Sequence, residues 1–197
     1  MTDTQDGFPN WFAMTAKHNF TMFALLPLDV SKPLSCLQIG TFVGHASEWI
    51  AKNLLKNPNS FLDDVDTWEG SDEEVHHAMD FSEVEAAYDQ RVGKWHKTGQ
   101  VRKHKGFSGD FFRTCDTQYD LIYIDGDHTA VGVLRDAVDA DRHLKVGGIM
   151  AFDDYTWSAG GSPLLDPKPA IDAFLHIYGE KYELQGMNAQ VWVKKVA

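Results

Sequence analysis

The 197-residue chain carries two cysteines, too few for a disulfide framework. Cys36 and Cys115 are read as buried thiols of a reducing compartment. Long apolar runs are missing: the longest, FALLPL at 23–28, falls far short of the ~20 residues of a membrane span and contains Pro27. The opening MTDTQDGFPN has neither the basic nor the apolar region of a secretory signal, so a cytoplasmic location and no membrane partner are expected. Positive charge is scarce, 18 Lys and Arg against 29 Asp and Glu for a net charge of -11. That balance argues against a general affinity for nucleic acid or anionic membrane. Internal repeats and low-complexity tracts are absent as well, which excludes solenoids and disordered tails.

What is present is the composition of an ordinary soluble globular protein, 43% hydrophobic and 24% charged, long enough to bury a sizeable core in one domain. Charge is unevenly spread. Residues 63–74 (DDVDTWEGSDEE) are acidic, whereas 94–105 (KWHKTGQVRKHK) hold five Lys and Arg with two His. The basic stretch is expected to be a solvated face rather than a polyanion site.

Short apolar runs alternate with helical patterns, the signature of βαβ units and a doubly wound parallel sheet. SCLQIG (35–40) reads as a first strand, followed by a helix from about His45 to Leu55. SFLDDVD (60–66) is a second strand, a polar helix lies near 81–96, and QVRKHKG (100–106) is a third strand. YDLIYID (119–125) is the fourth. Residues 129–144 set Ala130, Val133, Leu134, Ala137 and Val138 on one helical face, with Gly147 and Gly148 closing the segment. IMAFDD (149–154) is the fifth strand. A helix over 168–182 has Pro169 at its start and Gly179 near its end, and AQVWVKK (189–195) closes as a strand. Aromatic residues in the first 25 positions suggest a helical N-terminal segment over 1–34, a cover for the sheet or a lid.

In an open parallel sheet, ligands sit beyond the carboxyl ends of the strands where the strand order reverses. Gly40 ends the first strand and Gly44 opens the next helix, so backbone can approach a ligand closely there. Asp66 follows Gly40 by 26 positions at the end of the second strand, where Rossmann-type sites place a carboxylate on the ribose hydroxyls. Asp125 ends the fourth strand, and Asp153 with Asp154 ends the fifth. If these strands are neighbours ~5 Å apart, three carboxylates converge on the volume of one hydrated cation. Their repulsion calls for protons or a hard divalent ion such as Mg2+. His128, three residues past Asp125, is a candidate general base; a capping or surface role is the plainer alternative.

LQIGTFVGHASEWI, VDTWEGSDEE, KGFS, DLIYIDGDHTAVGVLRDAVDADRHLKVGGIMAFDDYTW and PKPAIDAF resemble the class I S-adenosylmethionine-dependent methyltransferases, nearest the macrocin O-methyltransferase branch. The likeness runs from about Asn10 to the C-terminus. It implies an α/β, Rossmann-like, mostly parallel seven-stranded sheet with a reversed last hairpin and helices on both faces. It also implies that Gly40, Thr41 and Gly44 hold the methionine moiety of S-adenosylmethionine, that Asp66 with Thr67 takes the ribose, and that the Gly106–Ser108 turn lines the adenine. Asp125 then borders both the cofactor and the metal, Asp125, Asp153 and Asp154 bind the divalent cation, and His128 with Asp125 forms the catalytic pair. Gln38 stands where the family often has Glu, and Ala46 where it often has Ser, so contacts in the first turn are expected to be weaker.

The reaction implied is transfer of a methyl group to a hydroxyl of a small molecule or sugar. Three other readings stay open. One is methyl transfer without a metal, and one is a cofactor-binding module without turnover. The last is an aspartate-dependent phosphatase, because DGDHT also fits a D-x-D-x-T nucleophile motif with Asp125 attacking and Asp127 as acid/base. A homo-oligomer is left open.

Overall fold

A computed structural model describes residues 7–71 and 76–197. The first six residues of the expected N-terminal segment, and 72–74 of the acidic stretch, lie outside the described residues. Seven strands, β1 (Ser35–Ile39), β2 (Phe61–Asp66), β3 (Val101–Lys105), β4 (Tyr119–Ile124), β5 (Leu144–Phe152), β6 (Tyr182–Met187) and β7 (Val191–Lys195), form one sheet in the order β3-β2-β1-β4-β5-β7-β6. β3, β2, β1, β4 and β5 pair in parallel, while β7 runs antiparallel to both β5 and β6. This is the Rossmann-like α/β class with its reversed final hairpin. The order turns back on itself between β1 and β4, and that crevice is where such sheets bind ligands.

Strand periodicity explains the two cores. Cys36, Leu62, Leu121, Tyr123, Ile149, Ala151 and Trp192 face one side, where α2 (His45–Asn53) and α3 (Phe81–Thr98) pack. Leu37, Ile39, Ile122, Ile124, Met150, Phe152 and Val193 face the other, under α5 (Ala130–His143) and α6 (Pro167–Tyr178). A sheet covered on both faces reads as apolar runs, which is why β1 and β4 were plain in the sequence. The N-terminal segment joins the first core. Two π-helical turns, Phe12–Ala16 and Thr21–Leu25, flank the short α1 (Lys17–Phe20). Phe20 is wholly buried, its ring edge-on to Tyr123 at 4.8 Å and to Trp192 at 5.0 Å. Such pairs add about 0.5–1.5 kcal/mol each beyond the area they bury.

Two sequence expectations shift. Gly147 and Gly148 do not close the helix, because α5 ends at His143 and β5 already begins at Leu144, with a register irregularity against β4 between Tyr119 and Leu121. β6, YELQGM, was not anticipated: as the sheet edge it is largely solvent-facing and lacks the apolar run that marks the inner strands. The basic stretch is largely neutralised on its own surface. Lys103 pairs with Glu85 at 2.7 Å and Asp89 at 2.8 Å, Lys105 with Glu85 at 2.6 Å, and Arg102 with the buried Asp63. Although Asp63 is buried, His104, Arg102 and Tyr119 together hold its carboxyl below the usual range.

Candidate active site

The carboxyl ends of the parallel strands are laced together by backbone bonds: Gly40 N–H donates to Val65 (2.9 Å), Gly106 to Asp66 (2.9 Å), Asp125 to Ile39 (2.8 Å) and Asp153 to Ile124 (3.0 Å). Five loops therefore leave one rigid edge side by side. Their backbones are unusual. Phe42, Trp68 and Asp154 adopt left-handed conformations, with φ of 50°, 49° and 56°, although none is glycine. Such residues cost roughly 1–3 kcal/mol each and cluster at functional sites. Here all three lie just beyond β1, β2 and β5, on the edge that the switch point selects.

Gly40 has φ of 78°, and a Cβ on it would stand 1.8 Å from the Asp125 carbonyl oxygen. The glycine is thus required by the approach of two chain segments, whatever ligand lies above. Gly44 has φ of 81° as N-cap of α2, and its face is closed by Tyr88 of α3, 2.8 Å from a built Cβ. Asp66 ties this turn down. Its Oδ2 accepts from Thr41 N (2.6 Å) and Phe42 N (3.0 Å), while Oδ1 accepts from Trp68 N at 2.7 Å. A carboxylate oxygen has two lone pairs, so Oδ1 keeps one for a further donor. Thr67 follows it, with Oγ1 accepting from Glu69 N at 3.2 Å. Gln38 is buried behind the turn, its amide donating to the Gly40 carbonyl at 2.8 Å and accepting from Ser47 at 3.2 Å. That internal bond is the local effect of having Gln where the resembling family often has Glu.

The acidic residues separate into two groups. The ligand atoms of Asp125, His128 and Asp154 all lie within 4.8 Å of one another. His128 Nε2 stands 3.2 Å from Asp154 Oδ2 and 3.7 Å from Asp125 Oδ1. Asp153, expected in the same cluster, lies beside Asp125 but spends its oxygens locally, accepting from the Tyr123 hydroxyl on Oδ2 and from Asp154 N at 2.8 Å on Oδ1. Burial, then the charge of Asp153, pushes the Asp125 carboxyl well above the usual range; His128 opposes that shift and Asp154 adds to it. His128 is not the helix cap. Thr129 caps α5 with its hydroxyl accepting from Gly132 N at 3.1 Å, and Asp127 Oδ1 accepts from Thr129 N at 2.9 Å. Asp127 is therefore spent on the turn that starts α5, and His128 is left facing the carboxylates, with Trp157 beside it at 5.2 Å between rings.

Two features of this edge escaped sequence reading. Trp157 sits four residues past Asp153 in a quoted segment, yet nothing in its spacing tied it to His128. Asp136, inside α5, is 4% exposed and accepts from Ser108 Oγ at 2.5 Å, joining the loop after β3 to the helix after β4. A buried acid on a helix face otherwise made of Val133, Ala137 and Ala140 was the available signal.

One test follows for the turn. Asp66→Ala removes the acceptor of three backbone donors, and binding of S-adenosylhomocysteine, measured calorimetrically, should weaken by about 1–3 kcal/mol. Unchanged affinity would separate Asp66 from the cofactor.

None of the curated proteins matches the chain in sequence. Solved structures share its fold at low identity. The O-methyltransferase TomG of Streptomyces achromogenes, solved with S-adenosylmethionine, aligns at 15% identity and a TM-score of 0.66, covering 93% of this chain and 81% of that one. An O-methyltransferase of Bacillus cereus, solved with S-adenosylhomocysteine, aligns at 13% and 0.63, covering 92% and 82%. A ribosomal-protein methylase of Lactobacillus delbrueckii subsp. bulgaricus aligns at 18% and 0.61, covering 96% and 81%. A protein-family profile described as a methyltransferase domain matches residues 37–155, from β1 through the Asp153–Asp154 pair. With its switch-point crevice and its strand order, the chain belongs to the methyltransferase domain family and has the class I S-adenosylmethionine-dependent fold.

Proposed function

We propose that the protein is an S-adenosylmethionine-dependent O-methyltransferase that acts, with a divalent cation, on a hydroxyl of a small molecule or sugar. The observation that carries this reading is the convergence of Asp125, His128 and Asp154 beside the Gly40 turn. The two carboxylate oxygens of Asp125 and Asp154 suit a hard divalent ion, with the imidazole of His128 beside them as the base. Asp125 and Asp154 would hold the ion, most simply Mg2+, and Asp153 would add its carboxylate only by leaving Tyr123. A bound cation lowers the pKa of a coordinated hydroxyl and fixes its position.

The chain's own residues supply the remainder. Methyl transfer from a sulfonium is an in-line displacement, so rate depends on aligning nucleophile and methyl carbon and excluding water. Gly40, Thr41 and Gly44 shape the turn for the methionine end, Asp66 and Thr67 border the ribose, and Ser108 borders the purine. His128, whose Nε2 faces Asp154 Oδ2 at 3.2 Å and Asp125 Oδ1 at 3.7 Å, takes the proton from the acceptor hydroxyl. Trp157 flanks the imidazole, its ring 5.2 Å away between centroids. A small acceptor is favoured over nucleic acid by the net charge of -11 and by the carboxylate pairing of Arg102, Lys103 and Lys105. The burial of Phe20 against the sheet supports an N-terminal cover over a lid, within one domain spanning 1–197. Cytoplasmic location is part of the same proposal.

A second reading has its own support. A protonated His128 lies close enough to both carboxylates to offset one of their charges without any metal, and burial favours a proton on Asp125. Manganese titration followed by electron paramagnetic resonance separates the two. The metal reading expects one bound Mn2+, weakened more than tenfold by Asp154→Ala while S-adenosylhomocysteine affinity stays within about threefold. No bound Mn2+, with full turnover after chelation, would select the metal-free mechanism.

A further inference from the structure

Asp136 is an expensive residue to keep. It is 4% exposed in the middle of α5, and among the described residues no lysine, arginine or histidine forms an ion pair with it. The other buried acid of the same helix, Asp141, by contrast meets Lys181 at 3.1 Å and Lys195 at 3.3 Å. The contact Asp136 does make is with the Ser108 hydroxyl, at 2.5 Å. Ser108 is the first residue of α4 (Ser108–Thr114), half-exposed at the carboxyl edge where β3 ends. Asp136 also lies under the loop after β4, its Oδ2 3.5 Å from a Cβ built on Gly126. It therefore braces the two loops between which a purine would lie. Phe107, immediately before Ser108, is 66% exposed and offers an uncovered ring at the same place.

The chemistry of this pair has a direction. A carboxylate can only accept, and a serine hydroxyl has one hydrogen, so the bond to Asp136 turns that hydrogen inward. The lone pairs of Ser108 Oγ that remain point away from α5 and can only accept. An exocyclic amine presented to that oxygen is matched, whereas a carbonyl at the same position meets a second acceptor and is rejected. We infer that Asp136 is a positioning residue that polarises Ser108 into a dedicated acceptor, making the pair a selector for the 6-amino group of adenine over a 6-oxo purine. The inference rests on the proposed binding of S-adenosylmethionine at this edge.

Calorimetry with S-adenosylhomocysteine and S-inosylhomocysteine tests it at pH 8. Asp136 is a carboxylate there, because burial, against the Ser108 bond and Arg135 and with Asp127 and Asp139 adding, raises it only to about 6. The wild type should prefer the adenosyl ligand by roughly 10- to 100-fold, the worth of one matched against one frustrated hydrogen bond. Asp136→Asn keeps an oxygen that accepts from Ser108 and should keep most of that preference. Asp136→Ala and the space-filling Asp136→Leu free the hydroxyl to rotate and donate, and should bring the two ligands within about threefold. A purely structural brace would weaken both ligands alike and leave their ratio unchanged. An unchanged ratio in Asp136→Leu, or a wild type that binds both ligands equally, overturns the inference. A wild type that binds neither overturns the cofactor reading with it.

Discussion

His128→Ala is expected to lower kcat by roughly 10²- to 10⁴-fold while leaving the affinity for S-adenosylhomocysteine nearly intact. The size follows from the proposed role: an alcohol is a poor nucleophile until its proton leaves, and His128 is the nitrogen base that the proposal draws from the Asp125–His128–Asp154 cluster. Cofactor affinity is spared because the residues shaping the cofactor turn, Gly40, Thr41 and Asp66, are tied to one another and not to His128. His128→Gln separates base from scaffold, since its amide can still reach Asp154 but cannot take a proton at neutral pH. Turnover of either variant within about threefold of the wild type would leave alignment as the whole mechanism.

The site's residues were more legible in the sequence than its geometry. The inner strands declare themselves because burial on both faces demands apolar runs, and their carboxyl ends then follow from chain direction alone. That is enough to bring Gly40, Asp66, Asp125 and the Asp153–Asp154 pair to one edge. What strand ends do not encode is where consecutive side chains point once the chain leaves the ladder. Asp153 is held by Tyr123 while Asp154 meets His128, so the trio with ligand atoms in reach of one another contains the imidazole in place of the third carboxylate. The same limit applied to Asp66, whose oxygens hold the Thr41, Phe42 and Trp68 amides as well as bordering the crevice. Edge strands fail for the opposite reason. β6 is polar because one side of it meets water, whereas β3, at the other edge, was read from QVRKHKG. Buried polar contacts such as Ser108 with Asp136 join positions 28 apart, and no local pattern announces them.

Asp64→Asn is expected to stabilise the protein at alkaline pH and to change its stability profile by about 3 kcal/mol between pH 5 and pH 8. Asp64 is fully buried on β2, opposite Gln38 of β1, with Tyr88 donating to its Oδ2 at 2.7 Å. Its buried Oδ1 has no hydrogen-bond partner among the described residues, though the Ser47 hydroxyl lies close by. Burial pushes the Asp64 carboxyl up to about 7, against the pull of the Tyr88 and Ser47 hydroxyls and with the charges of Asp63 and Asp66 adding to it. Below the ordinary carboxylate range near 3.8, both folded and unfolded chains hold this proton and the group contributes no pH dependence. As pH rises from there, the unfolded chain releases the proton while the folded chain keeps it, so stability falls until the folded group ionises near 7 and is level above that. Asparagine keeps the oxygen that Tyr88 needs and removes the ionisation. Other carboxylates, among them Asp63 and Asp141, are held below the usual range and add stability as pH rises, so the wild-type profile alone mixes opposite trends. The difference between wild type and variant cancels them. Urea unfolding of both proteins at pH 5, 6, 7 and 8 should show the variant gaining steadily on the wild type up to about pH 7 and holding that lead at pH 8. A difference that does not change with pH would mean that Asp64 ionises as an exposed carboxylate does, and that the buried contact with Tyr88, which closes the face of the Gly44 turn, is not charged at the cost assigned to it.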